Sequence, residues 1–357
     1  MSTPLPRKDP GRFGRRRIGL GERAELSLAA PAGPLGGSPR LPLAVWRGPF
    51  EGPCVAVFAG VHGDEICPVA ALRTLLRERP FELSRGTLLI VPVANTGAFE
   101  RGSRYSPDRR DLNRCFPGRL HGSPSARLAR LLHREVIARA DVCIDLHSAA
   151  APRHNYPHLR VDAEHPESLA LARAFGARWI VHHRGTAGSL RRVAQASGRP
   201  SLVVEAGGPG RVEPAVVAWL LSGLERLLVG LGLLAGPASP APAAQLLRRT
   251  RWLRARHGGL LEYYARLGEH VPAGRLLLGA TSVLGRELER LHAPSEGVVL
   301  GLCTQPAIGP GDALLHLALL EASQAPTAPA WHAPDPLEQR LDLELNATLR
   351  ILAAPTA

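Results

Sequence analysis

A histidine and a glutamate three residues apart, His62 and Glu65, sit where an apolar run gives way to glycines: V-A-V-F-A-G-V-H-G-D-E-I-C-P-V-A over Val55–Ala70. On the first turn of a helix, that spacing projects an imidazole and a carboxylate from one face, where both can reach one divalent ion. Two such ligands and a third from elsewhere make an open zinc site with a position left for water. The same residues also read as an ordinary helix start, in which the helix dipole favours Asp64 and Glu65. The rest of the chain decides between the two.

The elements that must position such a site follow from the hydrophobic pattern. Val55–Phe58 reads as a buried strand, Gly60 and Gly63 as the break, and Ile66–Leu76 as a helix ending near Arg79. Short strands are expected at Glu25–Leu28 and Leu41–Val45, and a second buried strand at Thr87–Val93. A long polar stretch, Asn95–Gly118, contains R-G-S-R-Y-S-P-D-R-R-D-L-N-R-C-F-P-G, and a loop of that length in a compact domain is usually functional. A helix from about Ser125 to Ala138 precedes a third strand, Asp141–Leu146, which stops at His147. Further on come a helix over Ser168–Phe175, a strand over Trp179–Val181 and a helix over Gly188–Ser197. The buried run S-L-V-V-E-A-G-G follows, with Glu205 at its end, and then a helix over Pro214–Leu233. Strands alternating with helices predict an α/β domain built on a mostly parallel mixed sheet flanked by helices. Sites in such sheets collect at the carboxyl ends of strands, where His62, His147 and Glu205 all fall.

Beyond a linker at 236–245, rich in Pro and Ala, the pattern changes to short apolar stretches between Gly and Pro turns. The expected organisation is a flexible N-terminal segment (1–20), a catalytic domain (21–235), the linker, a smaller all-β domain (246–325) and a C-terminal tail (326–357). Leu337–Ile351 within the tail reads equally as strand or helix.

Composition narrows the function classes. A hydrophobic fraction of 45% with 21% charged residues is globular, which excludes wholesale disorder. The net charge of +13 is almost entirely arginine, since Lys8 is the only lysine. Those arginines are scattered apart from Arg15–Arg17 and Arg248–Arg256, and four Tyr and seven Phe offer little for stacking bases, so no nucleic-acid partner is expected. Five cysteines without C-x-x-C spacing suit buried free thiols in a reducing compartment. With no signal-peptide pattern and no apolar run of membrane length, the expectation is a cytoplasmic protein without a membrane partner. Association into a homo-oligomer stays open.

The ordered set H-G-D-E, D-L-N-R-C-F-P-G, D-L-H and V-V-E-A-G-G resembles the succinylglutamate desuccinylase/aspartoacylase family, a deacylase branch of the zinc carboxypeptidase-like fold. The likeness runs over roughly residues 40–235, and the trailing β module looks like one that many members carry. It implies one Zn2+ per chain on His62, Glu65 and His147, with Glu205 as general base. It further implies Asn113 and Arg114 as the clamp on a substrate carboxylate, and Arg104 as the group that polarises the scissile carbonyl. Elementary chemistry agrees with these roles. A carboxylate that is not a ligand can take a proton from water and return it to the leaving amine. An arginine facing the carbonyl offsets charge building on oxygen, and another beside an asparagine can grip a carboxylate through its planar fork. Asp145, two residues before His147 on a strand, shares its face and can support it.

The expected function is thus a zinc-dependent amidohydrolase that removes an acyl group from a small-molecule N-acyl amino acid. The arginines of Arg101–Arg114 point to an anionic substrate. Two alternatives remain at this level: a zinc carboxypeptidase acting on a small peptide, and a non-catalytic zinc or binding protein that uses its β module for assembly. A covalent carrier is excluded, because the hairpin-like tail offers no lysine. His154, His158, His182 and His183 read as surface or pocket-wall residues.

Overall fold

The apolar runs form the strands of one sheet because both of their faces are covered. In the computed structural model, which describes residues 8–30, 37, 40–320, 336–347, 349 and 351–352, Cys54–Phe58 and Thr87–Val91 are buried along their whole length. Val55, Val57, Leu88 and Ile90 face one core with the helices Ile66–Glu78, Pro166–Phe175 and Pro214–Gly230. Ala56, Phe58, Leu89 and Val91 face a second core with the helices Pro124–Glu135 and Leu190–Ala196. Alternate side chains therefore enter opposite cores, and each fully buried Val, Leu or Phe is worth about 1.5–3 kcal/mol.

Four strands at the centre, Thr87–Val91, Cys54–Phe58, Val142–His147 and Ser201–Gly207, run parallel in that order. Antiparallel strands extend both edges of this 13-stranded mixed sheet. Arg40–Arg47 and Arg23–Ala29 extend one edge. On the other, Arg153–Val161 pairs with Ser201–Gly207, and Gly297–Cys303, Ala313–Leu319 and Arg249–Arg254 follow outward. Strands from both sides of the 236–245 linker thus share one sheet. A separate four-stranded antiparallel sheet (Gly259–Tyr263, Leu276–Thr281, Glu287–His292, Ala307–Ile308) completes the C-terminal region.

The strand Arg153–Val161 has no counterpart in the sequence reading. R-H-N-Y-P-H-L-R-V is rich in polar residues and carries Pro157, which argues against an interior strand. The proline is accommodated because the ladder with Ser201–Gly207 shifts register opposite it, between Glu205 and Gly207, as at a bulge.

Of the N-terminal segment expected to be flexible, 1–7 lie outside the described residues, while Phe13 and Ile18 of the remainder are buried beside a two-stranded hairpin. In the tail, 326–335 lie outside the described residues, and Pro336–Asn346 is a helix with Leu341 and Leu345 buried. Among the described residues no helix is long and apolar enough to cross a membrane.

Candidate metal centre

The turn that carries His62 and Glu65 is shaped by two glycines. Gly60 adopts a left-handed φ of +61°. A Cβ on Gly63 would lie 2.1 Å from the Ala98 carbonyl carbon, so only glycine lets this turn press against the short helix Thr96–Phe99. The following helix begins at Ile66, which places the pair in the turn before it rather than on its first turn. Glu65 holds the N-cap position, yet its side chain caps nothing. Instead its carboxylate receives two imidazoles, His62 Nδ1 at 2.6 Å from Oε1 and His147 Nδ1 at 2.8 Å from Oε2, and accepts the Ser148 N–H at 3.1 Å. An ordinary capped helix start does not have this geometry.

His62, Glu65 and His147 are all buried, and their ligand atoms lie within 4.8 Å of one another. The far nitrogen of each ring also meets a carboxylate: His62 Nε2 is 3.1 Å from Asp111 Oδ1, and His147 Nε2 is 2.9 Å from Asp145 Oδ2. Two imidazoles and one carboxylate, each ring oriented by an acid on its far side, form a donor set that suits zinc. Burial alone would lower the His62 pKa, but the Glu65 charge and the bond to Asp111 outweigh it and raise it. His147 is raised well above its usual value, because Asp145 and Glu65 overcome its burial. Burial would likewise raise Glu65, yet the two histidines hold it well below the usual carboxylate range.

Asp111 does more than the sequence reading assigned to it. As the cap of the 3-10 turn Leu112–Arg114 it accepts the Asn113 N–H at 2.8 Å, and it accepts Arg104 Nη2 at 2.9 Å while bonding His62. It therefore ties the loop, the arginine and the first histidine together. Its signal in the sequence is its place at the head of D-L-N-R, where an aspartate also caps a turn. Arg104 Nη1 stands 3.3 Å from His62 Nδ1 and 3.4 Å from Glu65 Oε1. Asn113 Oδ1 accepts the Leu190 N–H at 2.8 Å, and its Nδ2 is 3.5 Å from His147 Nε2. Arg114 donates to the Asn113 carbonyl at 2.7 Å.

These residues open onto a cavity of about 340 Å³, whose wall also includes Glu205. In the parallel ladder Glu205 is the register partner of His147, so the two strand ends deliver both side chains to one place. Glu205 Oε2 accepts Asn155 Nδ2 at 2.9 Å, and Oε1 lies 3.6 Å from Arg160 Nε. Both of those partners come from the strand Arg153–Val161. From the 95–118 loop the cavity takes Arg104 and Arg114, but not Arg101, Arg109 or Arg110.

The other histidines divide. His183 lines the cavity, and burial with Arg160 and Arg191 pushes its pKa down to about 4. His154 and His158 are buried rather than on the surface, because they sit on the unforeseen strand with ladder partners on both sides. His154 Nε2 is 2.7 Å from Glu213 Oε1. Burial, with Arg160 nearby, pushes His158 down to about 3.

Residues 51–231 match the model of the succinylglutamate desuccinylase/aspartoacylase catalytic domain. The chain is 30% identical over 282 residues to the N-alpha-acetyl-L-2,4-diaminobutyric acid deacetylase of Halomonas elongata, covering 75% of this chain and 82% of that one. Its fold superposes on the product-bound ectoine utilization protein EutE (DoeB) from Ruegeria pomeroyi with a TM-score of 0.76 at 25% identity, covering 88% of this chain and 100% of the other. A succinylglutamate desuccinylase from Silicibacter sp. gives a TM-score of 0.74 at 25% identity, covering 84% and 95%.

Proposed function

The chain belongs to the succinylglutamate desuccinylase/aspartoacylase family, and from that premise we propose that it is a zinc-dependent amidohydrolase that deacylates N-acyl amino acids. Its relatives are deacylases and deacetylases of amide bonds, so hydrolysis of a carbon–nitrogen bond is the reaction class. The observation that carries the zinc reading is the convergence of His62, Glu65 and His147 beside the carboxylate of Glu205 in one cavity.

His62, Glu65 and His147 would hold the ion. Zinc bound there would act as a Lewis acid and bring the pKa of water to ~7. Glu205 is the general base. Asn155 fixes one of its oxygens, and the other is left to take the proton of the attacking water and return it to the leaving nitrogen. Arg160 Nε stands 3.6 Å from that second oxygen. Arg104, already anchored by Asp111, directs its guanidinium at the carbonyl oxygen as negative charge develops there. Burial lowers the Arg104 pKa, but Glu65 and Asp111 more than restore it, so the group stays a cation. Asn113 and Arg114 grip the carboxylate of the amino acid and align the amide with the base. We assign these steps to the segment 21–235, with 246–325 as an accessory β region.

Metal analysis combined with turnover tests the reading. Purified protein is expected to hold about one zinc per chain, to release free amine from members of an N-acyl amino acid panel, to lose that activity on chelation and to regain it with added zinc. Turnover that survives complete metal removal would overturn the reading, as would a zinc-loaded protein inert towards the whole panel.

A further inference from the structure

A set of buried polar side chains that the proposed chemistry does not use lies behind the strand ends. Glu213 precedes the helix Pro214–Gly230, His154 sits on the strand Arg153–Val161, and Cys67 sits on the helix Ile66–Glu78; all three are buried. The Glu213 carboxylate gathers donors on both oxygens. Oε1 lies 2.7 Å from His154 Nε2 and 3.3 Å from Arg211 Nε. Oε2 accepts the Gly208 N–H at 2.9 Å, with Cys67 Sγ 3.6 Å away. Arg211 Nη2 can only donate and meets His154 Nδ1 at 3.3 Å, so the ring carries its proton on Nε2, towards Glu213. Burial would raise the Glu213 pKa, but His154, the Gly208 N–H and Arg211 outweigh it and lower it.

What these contacts hold is the segment 207–213, which follows directly on Glu205 and touches each stretch that carries a candidate ligand. The Gly207 carbonyl accepts the Ala149 N–H at 3.0 Å, two residues after His147. The Gly210 N–H donates to the Asp64 carbonyl at 2.7 Å, between His62 and Glu65. Cys67, two residues after Glu65, donates to the Arg211 carbonyl at 3.3 Å and accepts the Glu213 N–H at 3.3 Å. His154 is the neighbour of Asn155, whose amide holds Glu205. Adjacent strand residues face opposite sides, so the ring pins the strand from behind while Asn155 reaches the carboxylate. Gly207 has a φ of +82°, and a Cβ there would lie 2.5 Å from Glu213 Oε2, so the turn and the buried carboxylate are built for each other.

We propose that Glu213 and His154 are positioning residues: their contact fixes the segment 207–213, and through it the alignment of Glu205 with His62, Glu65 and His147. This inference rests on the deacylase reading and deepens it. Neither side chain lines the cavity, so the pair acts on the rate of the chemical step and leaves substrate binding alone. A buried carboxylate with donors on both oxygens has no neutral substitute, because an amide must turn its NH2 group towards donors at one end or the other. Losing the contact frees the turn after the general base, and a misplacement of about 1 Å is enough to cost on the order of 10²-fold in rate.

Steady-state kinetics on the zinc-loaded full chain, with the best N-acyl amino acid of the panel as probe, tests the pair. Glu213→Gln should lower kcat by about tenfold to hundredfold, with KM within about twofold of wild type and about one zinc per chain retained. His154→Leu, similar in bulk but without a donor, should lose rate in the same way. His154→Gln, whose amide nitrogen can stand where Nε2 stood, should keep most of it. Hydrogen exchange over 207–211 should speed up in Glu213→Gln and His154→Leu and stay slow in His154→Gln. Leu227→Val, a core change on the same helix, controls for lost stability: its denaturation midpoint should fall while kcat holds. Should Glu213→Gln fail to fold, the two His154 variants carry the test. Unchanged kcat in the variants, an equal loss in His154→Leu and His154→Gln, or the same loss in Leu227→Val overturns the positioning role and leaves the deacylase reading intact. A wild type inert towards the whole panel overturns the deacylase reading; the exchange comparison then decides the pair by itself, and equal exchange in all variants overturns it.

Discussion

The two ends of the cavity use charge in opposite ways. At the candidate metal site the charged groups face their complements: both histidines meet two carboxylates, and Arg104 meets Glu65 and Asp111 within 3.4 Å. At the arginine wall, Arg153 leans on an indole ring and Arg254 on a backbone carbonyl, while neutral histidines stand nearby. The first arrangement fixes ring orientation and carboxylate geometry before any ligand arrives. The second gathers four arginines with one ion pair among the described residues, Arg160 with Glu205 at 3.6 Å.

The comparison breaks most severely at a ligand. His147→Ala removes one of three donors and leaves Asp145 buried without its partner. Zinc content should fall from about one per chain to near zero, with activity at background; retained stoichiometric zinc would contradict the assignment. Next in size, Arg104→Gln keeps a hydrogen-bond donor but removes the charge that we propose meets the carbonyl oxygen. It should lower kcat by about 10²–10³-fold with intact zinc content, measured by steady-state kinetics and metal analysis. Asp145→Asn sharpens the contrast, because it alters only the support of His147. Metal affinity should drop by about 10–100-fold in competition with a chelator, with kcat at saturating zinc far less affected.

A pH titration of metal affinity follows. His62 and His147 have raised pKa values in the metal-free protein, with burial opposed and outweighed by Glu65, Asp111 and Asp145. Both therefore keep their protons to higher pH than free imidazole, and binding must expel those protons. Affinity should weaken as pH falls, by about tenfold per pH unit for each proton displaced. An affinity flat between pH 6 and 8 would count against this picture. The smallest effect is a control away from the cavity. Ser123 caps the helix Pro124–Glu135 by accepting the Ala126 N–H at 3.3 Å. Ser123→Ala should cost about 1 kcal/mol in denaturant unfolding and leave turnover alone.

The sequence makes the centre of this molecule legible for a physical reason. A strand covered on both faces must be apolar throughout, so a polar residue at its end, such as His147 after D-V-C-I-D-L or Glu205 after S-L-V-V, stands out. The four parallel strands and their helices follow from that same rule, with boundaries shifted by a few residues. The pairing of Asp145 with His147 follows from strand alternation. Asp111 is harder to see, because an aspartate at the head of a turn already has a local explanation. The strand Arg153–Val161 is hidden because only Tyr156, Leu159 and Val161 enter the apolar core while its polar side chains serve a cavity and buried polar pairs, and because a register shift in the strand itself, between Asn155 and His158, absorbs Pro157. With that strand hidden, Arg153 and Arg160 cannot be placed, nor can the link that carries Arg254 into the cavity. The arginines of the 101–114 loop draw attention to an anionic substrate, yet most of that wall comes from elsewhere in the chain.

The most direct test of the central claim compares wild type with Glu205→Gln, both carrying measured zinc, on the best probe found for wild type. The account predicts that the variant keeps its metal and its substrate affinity while kcat falls by about 10²–10⁴-fold. A variant with full metal and an unchanged kcat would contradict it, because the proton would then be moving through some other group.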